Sequence, residues 1–293
     1  MITDSRYAST LKHPDVEEHI DLWFYRPMGF RLALLGERLG WTPNVISVAS
    51  IFLGIGAGLL FYPADWRWNL LGMLLLVMAD VCDSADGQLA RMTQQFSRLG
   101  RILDGASGDV WFVCIYVSIC LRLTPTWGWY IWVIAAIAGF MHSRQAALAD
   151  YYRQFHLYFV KGKAGSEWDD ATQVDAEYRG LRLADAPLYK VFLWFYRNYT
   201  RSQEAVTPRL QAFRAQLRRQ GASADVTTAI IAHSRPLMKW CNALTFNCRA
   251  ITLCLALMVG EPWLYFMAEI VVGNLLYFYL WHRHERMCRR YTD

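Results

Sequence analysis

Apolar runs of about the length a bilayer demands recur along this chain, separated by short polar turns. A helix crossing the hydrocarbon core needs about 20 mostly apolar residues. Residues 39–64 contain no charged side chain and are entered through Trp41, Thr42, Pro43 and Asn44. Residues 123–143 form a second such run. Residues 68–79 and 110–121 are equally apolar but short, and each adjoins a polar segment, 80–91 after the first and 101–109 before the second. Either these are short buried helices, or each completes its crossing with the polar segment. The second reading is adopted, because the flanking loops are otherwise too short to return the chain to the same side. Two more spans follow, 239–260 carrying Arg249 and 263–281 carrying Glu269. The pattern predicts an all-α polytopic membrane protein with six transmembrane helices and both termini on one side.

Composition agrees. Hydrophobic residues make up 55% and charged residues 19% of the chain, against roughly 25% charged in soluble domains. Disorder, a coiled coil and a basic nucleic-acid-binding tail are poor fits. Thirty basic against 25 acidic residues give +5, too little for a general polyanion binder. The seven cysteines form no C-x-x-C pair and read as buried, reduced thiols rather than a zinc site or disulfide framework. The polar N-terminus argues against a cleavable signal peptide. Basic residues concentrate on one side of the predicted bundle, at Arg91, Arg98, Arg101, the long insertion and Arg283, Arg286, Arg289 and Arg290. The positive-inside rule makes that side cytoplasmic. Residues 20–39 mix aromatic and aliphatic side chains with charges at helical spacing, as an interfacial amphipathic helix does. The expected layout is an N-terminal segment to residue 40, spans one to four over 41–144, a cytoplasmic helical insertion over 145–238, and spans five and six with a basic tail over 239–293. Two aromatic-rich runs mark the insertion, 151–160 and 188–199. They fit a subdomain packed on the bundle; alternatively, the second run lies against lipid headgroups and shapes a lateral lipid entrance.

The chemistry concentrates in the polar end of span two. Asp80, Asp83 and Asp86 follow 12 apolar residues, about 18 Å of helix, which sets them in the inner part of the bilayer. A carboxylate there costs roughly 2.5–3.5 kcal/mol on insertion scales, and three together repel one another. A hard divalent cation answers both problems. On a helix Asp83 and Asp86 differ by about 60° with Ala90 between them, and Gly87 and Ala90 clear side-chain bulk from that stripe. Asp104 opens the next helix from the same side, and Arg91 and Arg101 give a basic rim. Such a site suits a metal-bound, phosphate-bearing ligand.

Asp83, Asp86, Gly87, Ala90 and Arg91, then Gly100 and Asp104, resemble the signature D-x2-D-G-x2-A-R-x8-G-x3-D-x3-D of the CDP-alcohol phosphatidyltransferase family. Seven of its eight fixed positions match, and the likeness extends to the six-span layout and the Thr42, Pro43, Asn44 entry. The resemblance implies transfer of a substituted phosphate group from a CDP-linked donor to an alcohol, with release of CMP. It implies two divalent ions, Mg²⁺ or Mn²⁺, held by Asp83, Asp86, Asp104 and a fourth Asp that also serves as general base. It further implies a donor site lined by Gly87, Ala90, Arg91, Gly100 and Asn44, and a homodimer. The fourth Asp should stand at 108, where this chain has Gly108 followed by Asp109. On an ideal helix Asp109 sits about 140° from Asp104, and a π-type bulge beside Gly105 and Gly108 would return it. Asp80 is the alternative.

Arg249 and Glu269 lie at similar depths and can pair across the last hairpin; alternatively Arg249, with Asn242 and Asn247, reaches a substrate phosphate. Arg144 and His142, at the inner end of span four, are further candidates. The expected function is lipid synthesis at the cytoplasmic face of the inner membrane, with either a CDP-diacylglycerol donor and soluble acceptor, or a small CDP-alcohol and lipid acceptor. Intramembrane acids also mark ion pathways, so a transporter is the competing class, and a catalytically silent relative is another.

Overall fold

The computed structural model describes residues 5–96, 98–162, 165–166, 168–182 and 186–292, apart from the side chains of residues 5, 98, 99, 101, 102, 104 and 188. Most of those residues are helical, with no strand among them, as an all-α polytopic membrane protein requires. Among the described residues, five helical stretches are long and apolar enough to cross a bilayer: Pro43–Leu60, Gly105–Trp127, Tyr130–Lys161, Ala224–Val259 and Trp263–Arg289. The chain forms two compact units, Met1–Ser143 with Phe246–Ile270, and Arg144–Thr245 with Val271–Asp293.

In the first unit, a short α1 (Ser5–Ser9) and a π-type turn at Asp21–Tyr25 lead into α2 (Arg26–Leu39). Gly40, at φ 69°, ends α2 in the left-handed region, where glycine carries no Cβ penalty. Pro43 then occupies the first turn of α3 (Pro43–Leu60) after an extended Thr42, with its fixed φ suited to that place. Asp65 caps α4 (Trp66–Thr93) by accepting from the backbone N–H of Arg67 at 2.8 Å. Next come α5 (Arg98–Trp127) and α6 (Tyr130–Lys161). Both short apolar runs of the sequence therefore belong to single helices continuous with their polar segments. After α6 reaches Lys161, the unit resumes with α11 (Phe246–Val259) and α12 (Trp263–Ala268), and a second π-type turn starts at Glu269.

The α3 helix packs on α4 and α5, and α2 lies on α4. Close approach is set by glycines. A Cβ on Gly54 would enter the Trp111 ring, and one on Gly58 would stand 3.0 Å from the backbone carbon of Cys114. The core centres on Phe61, Leu76, Trp111, Ile115, Ile131 and Phe266, and a smaller cluster of Ala33, Ile46, Ala85 and Leu89 lies beneath α2. Outward faces carry Phe52, Leu59, Leu70 and Leu74, the pattern of helices solvated by lipid.

The second unit joins the C-terminal part of α6 to α7 (Ala171–Gly180), α8 (Pro187–Ala205), α9 (Pro208–Gln220), α10 (Ala224–Asn242) and α13 (Asn274–Arg289). His284 stacks flat on Tyr152 at 3.7 Å in its core. Glu285 on α13 accepts from the backbone N–H groups of Arg209 and Leu210, so a side chain satisfies the first donors of α9.

Candidate active site

Three helices of the first unit meet at the carboxylates of α4. Asp86 is buried, and Ser47 Oγ on α3 donates to its Oδ2. The Pro43 carbonyl is an alternative acceptor for the same hydroxyl at 3.2 Å. Asp83 Oδ1 accepts from Ser107 Oγ on α5 at 2.9 Å. The acidic pair thus points one carboxylate toward each flanking helix. Neither serine was singled out in the sequence, though each stands one turn after a residue that was: Ser47 after Asn44 on α3, and Ser107 after residue 104 on α5. The side chain of Asp104 lies outside the described residues, as does that of Arg101.

Asp109 falls elsewhere. The expected π-type bulge is absent: α5 is α-helical from Arg98 to Trp127, because glycines at 105 and 108 permit an irregularity without requiring one. Asp109 is exposed and lines a cavity of about 480 Å³ between α5 and α6, with Phe112, Tyr116, Gly139 and His142. Asp80, one turn before Asp83, is half-buried within electrostatic reach of Asp83, Asp21, Arg26 and Glu18.

A segment ahead of α2 closes over the C-terminal end of α4. Arg91 Nε donates to the Thr10 carbonyl at 2.7 Å, and Gln88 Nε2 donates to Thr10 Oγ1 at 3.0 Å. The Arg91 guanidinium lies beside Gly87, 3.5 Å from where a Cβ would stand, an ordinary van der Waals distance. Ala90 lies one turn on from Gly87, and Gly100 sits in the first turn of α5. Arg26 of α2 bonds Ser84 Oγ and Glu17 Oε2, each at 3.2 Å. Burial alone would raise the Glu17 carboxyl, but Arg26 and the Lys12 backbone N–H hold it below its ordinary value.

The remaining candidates are engaged in other ways. Asn247 Nδ2 donates to Glu18 Oε2 at 2.9 Å and Asp21 Oδ1 at 2.7 Å. Arg249 Nε lies 3.7 Å from Glu269 Oε1, the pairing the spacing allowed, and His142 Nδ1 lies 3.7 Å from the same oxygen. Arg144 is counted with the second unit.

The carboxylates of Asp83 and Asp86 are hard oxygen donors of the kind that hold Mg²⁺ or Mn²⁺. Among the described residues no group of three or more His, Cys, Asp or Glu side chains converges as a metal site, and Asp104, the expected third donor, is not among the side chains so described.

An acidic helix face with a glycine beneath an arginine suits a phosphate-bearing ligand. Residues 40–159 match the family model for CDP-alcohol phosphatidyltransferase, and the chain carries a domain of that family over those residues. It is 30% identical over 101 residues to a bifunctional IPC transferase and DIPP synthase of Aquifex aeolicus, covering 34% of this chain and 22% of that protein. It is 32% identical over 98 residues to a protein of Mycobacterium tuberculosis provisionally named cardiolipin synthase, covering 33% of this chain and 46% of that one. The chain therefore spans less than half the length of the curated relatives it matches.

Proposed function

We propose that the protein is a metal-dependent CDP-alcohol phosphotransferase of lipid synthesis, acting at the cytoplasmic face of the inner membrane. The observation that carries this reading is the pair Asp83 and Asp86, one turn apart on α4 and each held by a serine of a neighbouring helix. In the reaction the acceptor oxygen forms a bond to the donor's lipid- or alcohol-linked phosphorus. The bond from that phosphorus to the bridging oxygen breaks, and CMP departs with the electron pair. The acceptor's proton passes to a carboxylate, Asp109 or Asp80. Asp83, Asp86 and Asp104 would hold the divalent ions, which supply charge neutralisation for the pyrophosphate when bound. Gly87, Ala90, Arg91, Gly100 and Asn44 would line the donor site, the guanidinium of Arg91 lying over a backbone stripped of side-chain bulk. Arg144, Asn247 and Arg249 are proposed on the acceptor side, and a homodimer is proposed as the assembly.

The relatives' names differ, one group naming cardiolipin and another IPC and DIPP, and this supports an acceptor screen over any single choice. Purified protein in lipid should release CMP from CDP-diacylglycerol or from small CDP-alcohols when Mg²⁺ or Mn²⁺ is present, and should lose that activity with a chelator. Asp83→Asn and Asp104→Asn should abolish release with helical content retained; unchanged activity in both would end the proposal. Of Asp109→Asn and Asp80→Asn, the one that also loses activity identifies the general base.

A further inference from the structure

The α8 helix, in the second unit, lies beyond the segment matched by the family model, and its two faces differ. Leu193, Thr200 and Gln203 are buried, whereas Val191, Trp194 and Phe195 are 49%, 44% and 60% exposed. At helical spacing the three exposed side chains fall within an arc of about 100°, opposite the buried ones. Scattered single apolar residues on a surface are ordinary, but a contiguous valine, tryptophan and phenylalanine mark a surface made for contact.

One edge of the arc carries Lys190, Arg197 and Arg201. Arg197 and Arg201 share Asp175 of α7 with Arg179, at 3.1, 2.9 and 2.7 Å. Three guanidinium groups on one carboxylate leave an excess of positive charge beside the apolar arc.

The unit's part of the last candidate span, Trp263–Arg289, gives the level at which this happens. The end of the π-type turn and α13 after it expose Val271, Val272, Leu275, Phe278 and Tyr279, then change to His282, Arg283 and Arg286. That change marks where a helix leaves hydrocarbon for headgroups. Trp281 stands at the change and donates Nε1 to the carbonyl of Val206, the residue that ends α8, at 2.7 Å. Trp240 of α10 meets Tyr279 at 5.9 Å at the same level. On the other side α8 is tied to α6, Gln203 Nε2 to the Ala147 carbonyl at 2.8 Å and Tyr199 to Asp150 at 3.2 Å.

We infer that α8 is a membrane-interface helix. Val191, Trp194 and Phe195 enter the boundary between headgroups and acyl chains, and the cluster of Lys190, Arg179, Arg197 and Arg201 meets the phosphates of anionic lipid. The occupant of this face is a lipid leaflet, and the aromatic belt at Trp281, Trp240 and Tyr279 sets its height.

Nitroxide labels on Phe195→Cys and Val191→Cys, in the full chain with the exposed Cys248 replaced, test it in nanodiscs of phosphatidylcholine and phosphatidylglycerol. Collision with oxygen should exceed collision with a water-soluble nickel chelate several-fold at both positions, and the ratio should fall in discs lacking phosphatidylglycerol. Both substitutions are at exposed sites, so folding is not at issue. Labels readily reached by the nickel chelate would overturn the inference by placing the face in water. Labels reached by neither reagent would overturn it by showing a protein partner there instead of lipid.

Discussion

At the scale of single residues, the hydroxyls of Ser47 and Ser107 decide which way the acidic pair points. A hydrogen bond to a carboxylate fixes its rotamer, and loss of such an outer partner at a metal-type site costs about 10–100-fold in activity. Ser47→Ala and Ser107→Ala should each lower the rate of CMP release by that factor, while the thermal midpoint moves little; a rate unchanged in both would remove them from the site. Glu17 offers a pH-dependent test. Its carboxyl is held low by Arg26 in the folded chain, so its stabilisation is present above the unfolded carboxylate range and lost as pH falls through the folded value. Glu17→Gln breaks a buried pair and should cost roughly 3–5 kcal/mol at neutral pH. The gap in thermal midpoint between the two proteins should close below about pH 4; a gap constant with pH would contradict this. The spacing of Asp83, Asp86, Gly87 and Arg91 was legible in the sequence because it repeats along one helix. Ser47, Ser107 and Thr10 were not, since each reaches α4 from a different part of the chain.

At the scale of elements, the crossing of α3 over α5 depends on Gly54 and Gly58. Gly56, between them, faces only the flexible end of Leu75 at 3.4 Å. Overpacking a close contact costs about 1–3 kcal/mol. Gly54→Ala and Gly58→Ala should lower the thermal midpoint in detergent and reduce activity, because α3 carries Ser47 and α5 carries Ser107. Gly56→Ala should do neither, and equal behaviour of all three would refute the packing argument. The hydrophobic pattern read these helices well, including the continuity of each apolar run with its polar neighbour. Inside α5, Gly105 and Gly108 suggested a bulge that the backbone ladder does not make, and Asp109 lines the cavity beside α6.

At the scale of the whole molecule, charge sets the expected orientation. With Arg283, Arg286, Arg289 and Arg290 beyond the last apolar run, the C-terminus should be cytoplasmic. A fluorescent protein fused there should light up and a periplasm-dependent phosphatase should stay inactive; the reverse would invert the topology. The helices among the described residues of 145–238 could be read from the amphipathic pattern, but not the way α8 and α9 fasten to α13, which depends on contacts such as Trp281 with Val206 that leave no periodic trace. The bond from Arg91 to Thr10 has a different consequence. Its acceptor is a main-chain carbonyl, which every amino acid supplies, so replacing residue 10 leaves that bond available and removes only the hydroxyl that Gln88 uses. Deleting one residue between Thr10 and α2 shifts the carbonyl out of reach. This stretch should therefore tolerate changes of letter and resist changes of length, a constraint that comparison of aligned residues would overlook.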